Sequence, residues 1–93
     1  MTRQEYLLVC LIEELSEVQK ELSKCLRFGP EHRYNGVSNL ERALSELEDV
    51  EAIRALLAKE NLKLYPALGN KHVDKVNSTV ELMELSRRLG IIC

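Results

Sequence analysis

From Arg3 to Arg27 the chain contains neither glycine nor proline, and Leu8, Leu11, Leu15, Val18, Leu22 and Cys25 recur at three- and four-residue intervals. That pattern predicts one long amphipathic helix over residues 3–27. Its opening turns, Leu7 to Ile12, are apolar on every side, which demands cover from more than one direction. Either this helix end is interior, or it meets a second copy of the chain. The chain has only 93 residues, enough for one domain but at the small end of what folds without staples.

Phe28-Gly29-Pro30 stops the helix, because glycine accepts a left-handed cap and proline cannot continue. A polar loop follows over residues 31–37, with Asn35-Gly36 as its turn. Ser38 or Asn39 caps a second helix over about residues 40–59, and Ser38 with Glu41 has capping-box spacing. Leu40, Leu44, Leu47, Val50 and Leu57 mark its apolar side, widened by Ile53 and Leu56. A connector with Pro66 and Gly69 leads to a third helix over about residues 71–88, expected to bury Val73, Val76, Val80, Met83 and Leu85. Gly90 ends it. No strand is expected, so the fold class is all-α with a single domain over residues 1–93.

Several functional classes are disfavoured. Net charge is -2 and aromatics are 4% of the chain, with basic residues scattered; nucleic acid and anionic membranes are poor partners for such a surface. The longest apolar run, Leu7 to Ile12, suits neither a signal peptide nor a membrane span. Three cysteines, Cys10, Cys25 and Cys93, without a Cys-x-x-Cys pair suggest neither a disulfide framework nor a zinc site. A reducing cytoplasm is the expected location.

The chemistry-bearing residues are acidic. Glu14 and Glu17 stand three apart in the first helix, as do Glu46 and Asp49 in the second. Residues three apart share a helix face, and each pair borders the apolar stripe of its helix. Side by side, the two helices would converge four carboxylates, an arrangement that calls for a cation to offset the repulsion. Oxygen-only ligands suit Mg2+, with Mn2+ as a substitute, better than zinc. Glu48 and Glu51 have the same spacing, but Glu48 points about 160° away from Glu46, so helical phase favours Glu46 and Asp49. A lone Glu-x-x-Glu is commonly a solvated face; two on successive helices carry more weight.

In order along the chain, Glu13-Glu14-Leu-Ser-Glu17, Ser23-Lys24-Cys-Leu-Arg27-Phe-Gly, Ser-Asn39-Leu-Glu41-Arg42 and Glu46-Leu-Glu-Asp49 resemble the MazG-like all-α nucleoside triphosphate pyrophosphohydrolases. Lys71-x-x-x-Lys75 in the third helix adds to the likeness, which covers about residues 5–90 and is nearest to the short phage-type members. The resemblance implies hydrolysis of a (deoxy)nucleoside triphosphate between its α- and β-phosphates, with dGTP first among substrates. It implies metal ligands at Glu14, Glu17, Glu46 and Asp49, and a water-activating glutamate at Glu13 or Glu17. Lys24, Arg27, Lys71 and Lys75 would meet phosphate oxygens, and Asn77 the nucleotide. Two positions depart from the pattern: Ser45 stands where relatives commonly have glutamate, and Glu48 where glycine is common.

A 93-residue chain with apolar residues on several helix sides is expected to complete a four-helix catalytic unit through a homodimer or homotetramer. The alternative from another class is a non-catalytic helical oligomerisation or adaptor module. His32 and His72 have no catalytic duty in either reading.

Overall fold

A computed structural model describes residues 1–93. The first helix, α1 (Arg3–Phe28), starts on a capping box: the Glu5 backbone N–H donates to Thr2 Oγ1 at 3.0 Å, and the Thr2 N–H donates to Glu5 Oε1 at 3.1 Å. Receiving that N–H holds the Glu5 carboxyl below its ordinary range. At the other end Gly29 has φ 93°, a conformation open to glycine, and its N–H donates to the Cys25 carbonyl.

The connection is not the plain loop expected. Arg33–Tyr34 (β1) and Val37–Ser38 (β2) pair antiparallel, Arg33 opposite Ser38 and Tyr34 opposite Val37. Asn35 and Gly36 both have positive φ, at 52° and 78°, the requirement of a two-residue type I′ turn whose twist matches such a ladder. The turn signal was legible; the strand residues flanking it were too few to show a period.

The second helix, α2 (Asn39–Lys59), is capped by Ser38, whose hydroxyl accepts from the Glu41 N–H. Glu41 does not complete the box; its carboxylate pairs with Arg33 instead. Buried Asn39 ties the connection down, donating its amide to the Gly29 carbonyl at 3.0 Å. At the far end of the hairpin Arg3 pairs with Glu60 at 2.7 Å and the Gln4 amide donates to the Glu60 carbonyl. α1 and α2 therefore form a closed antiparallel hairpin.

Its seam is Leu7, Leu11, Val18, Val50, Ile53 and Leu57, with Leu8 and Leu62 packed alongside. Against expectation, Leu15 and Leu22 of α1 and Leu40, Leu44 and Leu47 of α2 lie outside it and are exposed. The positions one residue earlier, Glu14, Glu21, Asn39, Ala43 and Glu46, are buried or half-buried in their place. Leu11, Val18, Val50 and Leu57 of the expected stripes stay in the seam, so both helices are turned by part of a residue step, roughly 60°, from the phase of greatest hydrophobicity. In an antiparallel pair this step turns both leucine rows toward the same face of the hairpin.

The third helix, α3 (Asn70–Arg88), forms where expected but packs against neither α1 nor α2 and buries none of its residues. Val73, Val76, Val80, Met83 and Leu85, expected to be covered, are all exposed, because α3 does not dock on the hairpin within the protomer. The consequence shows in the radius of gyration, 17.0 Å, against about 12 Å for a compact domain of this length. No helix is long and apolar enough to cross a membrane.

Candidate functional site

Because the seam is turned, carboxylates enter it. Glu14 from α1 and Glu46 and Asp49 from α2 bring one oxygen each to within 4.8 Å of one another. Glu14 and Glu46 are half-buried and Asp49 is exposed, so the group sits at the lip of the seam. The Glu46 carboxyl is held above its ordinary range by loss of solvent and by the charges of Asp49, Glu14, Glu17 and Glu21, in that order. Three carboxylate oxygens this close are a hard, all-oxygen donor set that a divalent cation could share. Glu48 and Glu51 stand outside this group, both exposed, with Glu51 paired to Arg54.

The other acids named from the sequence, Glu17 and Glu13, lie outside this trio. Glu17 is one of the charges acting on Glu46, yet its carboxylate is only loosely paired, 4.0 Å from Lys20. Glu13 is exposed on α1, where its backbone carbonyl accepts from the Ser16 hydroxyl.

Glu21 follows Glu14 and Glu17 along α1, and the structure sets it apart from them. It is 7% exposed; Oε1 pairs with Lys24 Nζ at 3.4 Å, while Oε2 is buried without a hydrogen-bond partner. A buried carboxyl oxygen left without a partner is costly. The available signal was its position seven residues after Glu14, two helical turns along the same face.

The cations divide into two sets. Lys24 lies one turn beyond Glu21 and lines a pocket of about 310 Å³ with Phe28, His32, Tyr34, Asn39 and Arg42. Arg27 is directed elsewhere, its guanidinium lying 5.1 Å from the centre of the Phe28 ring. Lys71, Lys75 and Asn77 are on exposed α3, apart from the acids within one protomer. Asn39, Arg42, Glu46 and Asp49 succeed one another at three- and four-residue steps on α2, as do Glu14, Glu17, Glu21, Lys24 and Phe28 on α1. These rows form one groove, acidic toward the middle of the hairpin and basic at the connection.

A larger hollow of about 460 Å³ lies at the opposite end, lined by Met1, Arg3, Tyr6, Leu56 and Glu60 among others. Arg3 and Glu60 there pair with each other, and Lys59 is the further charged side chain of its lining. Set against models of protein families, curated proteins and solved structures, the chain matches none.

Proposed function

We propose that the chain is a metal-dependent pyrophosphohydrolase that cleaves (deoxy)nucleoside triphosphates between the α- and β-phosphates, as its resemblance to the MazG-like family implies. The observation that carries this reading is the meeting of Glu14, Glu46 and Asp49 across two helices, beside a pocket that supplies Lys24 and Arg42. A triphosphate brings several negative charges, so acids alone would repel it and cations alone would not favour cleavage. Glu14, Glu46 and Asp49, with Glu17 nearby, would hold Mg2+ or Mn2+. When bound, the metal neutralises phosphate charge and makes the α-phosphorus more electrophilic.

In this reading the oxygen of water bonds to the α-phosphorus, the bond to the bridging oxygen of the β-phosphate breaks, and pyrophosphate departs. A carboxylate, Glu17 or Glu13, takes the proton. Lys24 meets phosphate oxygens from within the protomer, and Arg27 would do so only on leaving the Phe28 ring. Lys71, Lys75 and Asn77 would take part only if α3 of a second copy carried them to the groove. We place the protein in a cytoplasm, and on the phage-type resemblance in that of an infected host, controlling nucleotide pools.

Assembly belongs to the same proposal. The exposed leucine face of the hairpin and the bare α3 would be covered by a second copy, giving a four-helix unit in a homodimer or homotetramer. The same exposed faces favour the second reading, a non-catalytic oligomerisation or adaptor module. An assay of NTPs and dNTPs with Mg2+ decides between them. Monophosphate and pyrophosphate should appear, with dGTP placed first, and Glu14→Gln, Glu17→Gln, Glu46→Gln and Asp49→Asn should remove most turnover. Orthophosphate with a diphosphate would defeat the assignment. An adaptor would turn over nothing and would ignore a Mg2+ titration.

A further inference from the structure

The pocket at the connection end of the groove differs from the acidic centre in a specific way: none of its six lining residues is acidic, and five carry a hydrogen-bond donor. Lys24 contributes an ammonium, Arg42 a guanidinium, His32 an imidazole and Tyr34 a hydroxyl. Asn39 supplies its amide from a buried position. Arg42 spends one nitrogen on the Tyr34 carbonyl at 2.7 Å, which leaves further N–H groups on its fork. The same bond anchors Arg42 to the β1–β2 turn, so its charge is already placed. Lys24 is likewise held, by its pair with buried Glu21. The pocket also sits at the start of the 21-residue α2, the end that favours an anion. Two ordered cations and an anchored amide make a built receptor for a compact anion.

Size and position narrow the anion. At about 310 Å³ the pocket is at the lower limit of small-molecule sites, too small for a whole nucleotide but suitable for one or two phosphate groups. Arg42 precedes Glu46 by four residues on α2, an axial step of about 6 Å. A phosphate chain held at the acidic centre through a cation therefore reaches the pocket with its far end. The two aromatic faces have guanidinium neighbours, Arg27 5.1 Å from the centre of Phe28 and Arg42 6.0 Å from that of Tyr34. A base stacking there would have to displace them.

We propose that this pocket is a diphosphate subsite, binding the departing pyrophosphate end of the substrate through Lys24, Arg42 and His32, with Asn39 fixing its floor. The role assigned to the diphosphate rests on the proposed function; the anion site itself does not. Pyrophosphate orients toward the connection, and the nucleoside projects the other way along the groove, past the acids.

Calorimetric titration of the full chain with inorganic pyrophosphate, first in EDTA and then with Mg2+, tests this. Binding should be measurable without metal and tighter with it. Arg42→Ala and Lys24→Gln should each weaken metal-free binding by roughly tenfold or more, and Glu81→Gln, exposed on α3, should leave it unchanged. Because Arg42 also holds the turn, His32→Gln with unaltered helicity by circular dichroism serves as the second variant and should weaken binding too. Unchanged affinity in all three pocket variants would overturn the proposal, as would a phosphate-free nucleoside binding in this pocket in place of pyrophosphate. If pyrophosphate binds as described yet no triphosphate is hydrolysed, the enzymatic reading fails and the anion site stands. Turnover without pocket-dependent pyrophosphate binding does the opposite: the subsite falls and the enzymatic reading stands.

Discussion

The leucine face offers the sharpest test of how this chain completes itself. Leu22 of α1 and Leu44 of α2 are each 52% exposed in the protomer, with Leu15, Leu40 and Leu47 nearly as open and Leu26 more so. Fully burying a leucine contributes about 1.5–3 kcal/mol, so hiding the exposed half of Leu22 or Leu44 contributes about 1 kcal/mol. In a two-fold pair each substitution acts twice. Leu22→Gln with Leu44→Gln therefore removes about 4 kcal/mol of association energy, roughly a thousandfold in dissociation constant. Glutamine keeps a stem of similar reach along the helix, so the hairpin itself should persist. Sedimentation equilibrium at micromolar concentration is expected to show the wild type as an assembly and the double variant as a 10.7 kDa protomer with unchanged helicity. Arg42→Gln, on the opposite face, should leave the mass of the assembly as it is. A wild type that sediments as a protomer, or a double variant that assembles as tightly as the parent, would refute the reasoning. Dissociation by Arg42→Gln alone would show that the two faces have been exchanged.

Three further outcomes follow from the seam. Leu57, fully buried in the hairpin, should cost about 2–5 kcal/mol as Leu57→Ala in chemical denaturation; a loss below about 1 kcal/mol would mean the seam is not the core. The raised Glu46 carboxyl makes the native state take up a proton before the unfolded chain does, so metal-free stability should rise as pH falls from neutrality through that raised value. The gain should level off near the unfolded carboxylate value of about 4.3 and reverse below it, where Glu5 and Glu84, both held low, lose their partners. Glu46→Gln should flatten this rise, and saturating Mg2+ should suppress it; melting curves across pH measure both. Glu21→Leu should stabilise the metal-free protein by about 1 kcal/mol, or about 4–8 °C in melting temperature. A lower melting temperature would show that its pair with Lys24 outweighs the desolvation of Glu21.

Helix number, type and limits were legible because punctuation is local. Gly29-Pro30, Ser38 and Gly90 act through backbone rules that need no tertiary partner, and the observed ends lie within a residue of those expected. Helix rotation was not legible, for a different reason. Periodicity finds the most apolar face of a helix, and α1 and α2 each carry a wide one. Which part of it meets the other helix is decided by pair packing, and the smaller Ala43 and Asn39 take the buried positions while Leu44 and Leu40 stay outside. The same rotation carried Glu21 into the seam unnoticed. For α3 the spacing of Val73, Val76, Val80 and Met83 fixes a helix and an apolar side, but not what covers that side.

The rotation links stability to the proposed chemistry. A hairpin turned back by that part-step would bring Leu15, Leu22, Leu44 and Leu47 in beside Leu11, Val18, Val50 and Leu57 and point Glu14 and Glu46 at water, burying more apolar surface in an isolated pair of helices. The observed phase instead holds Glu14, Glu21 and Glu46 at or in the seam and leaves the leucines outside. Two later events would recover what this forfeits. A cation at Glu14, Glu46 and Asp49 would relieve the repulsion that raises Glu46, and a second copy would cover the leucine face. Both would bind the folded chain and not the unfolded one, so each would add stability by mass action. They act on opposite faces of one hairpin and share its helix positions, so they should reinforce each other. Adding Mg2+ should then tighten assembly as well as raise the melting temperature. If the dissociation constant of the assembly is the same in EDTA and in saturating Mg2+ while the metal demonstrably binds, the two faces are independent and the rotation needs another explanation.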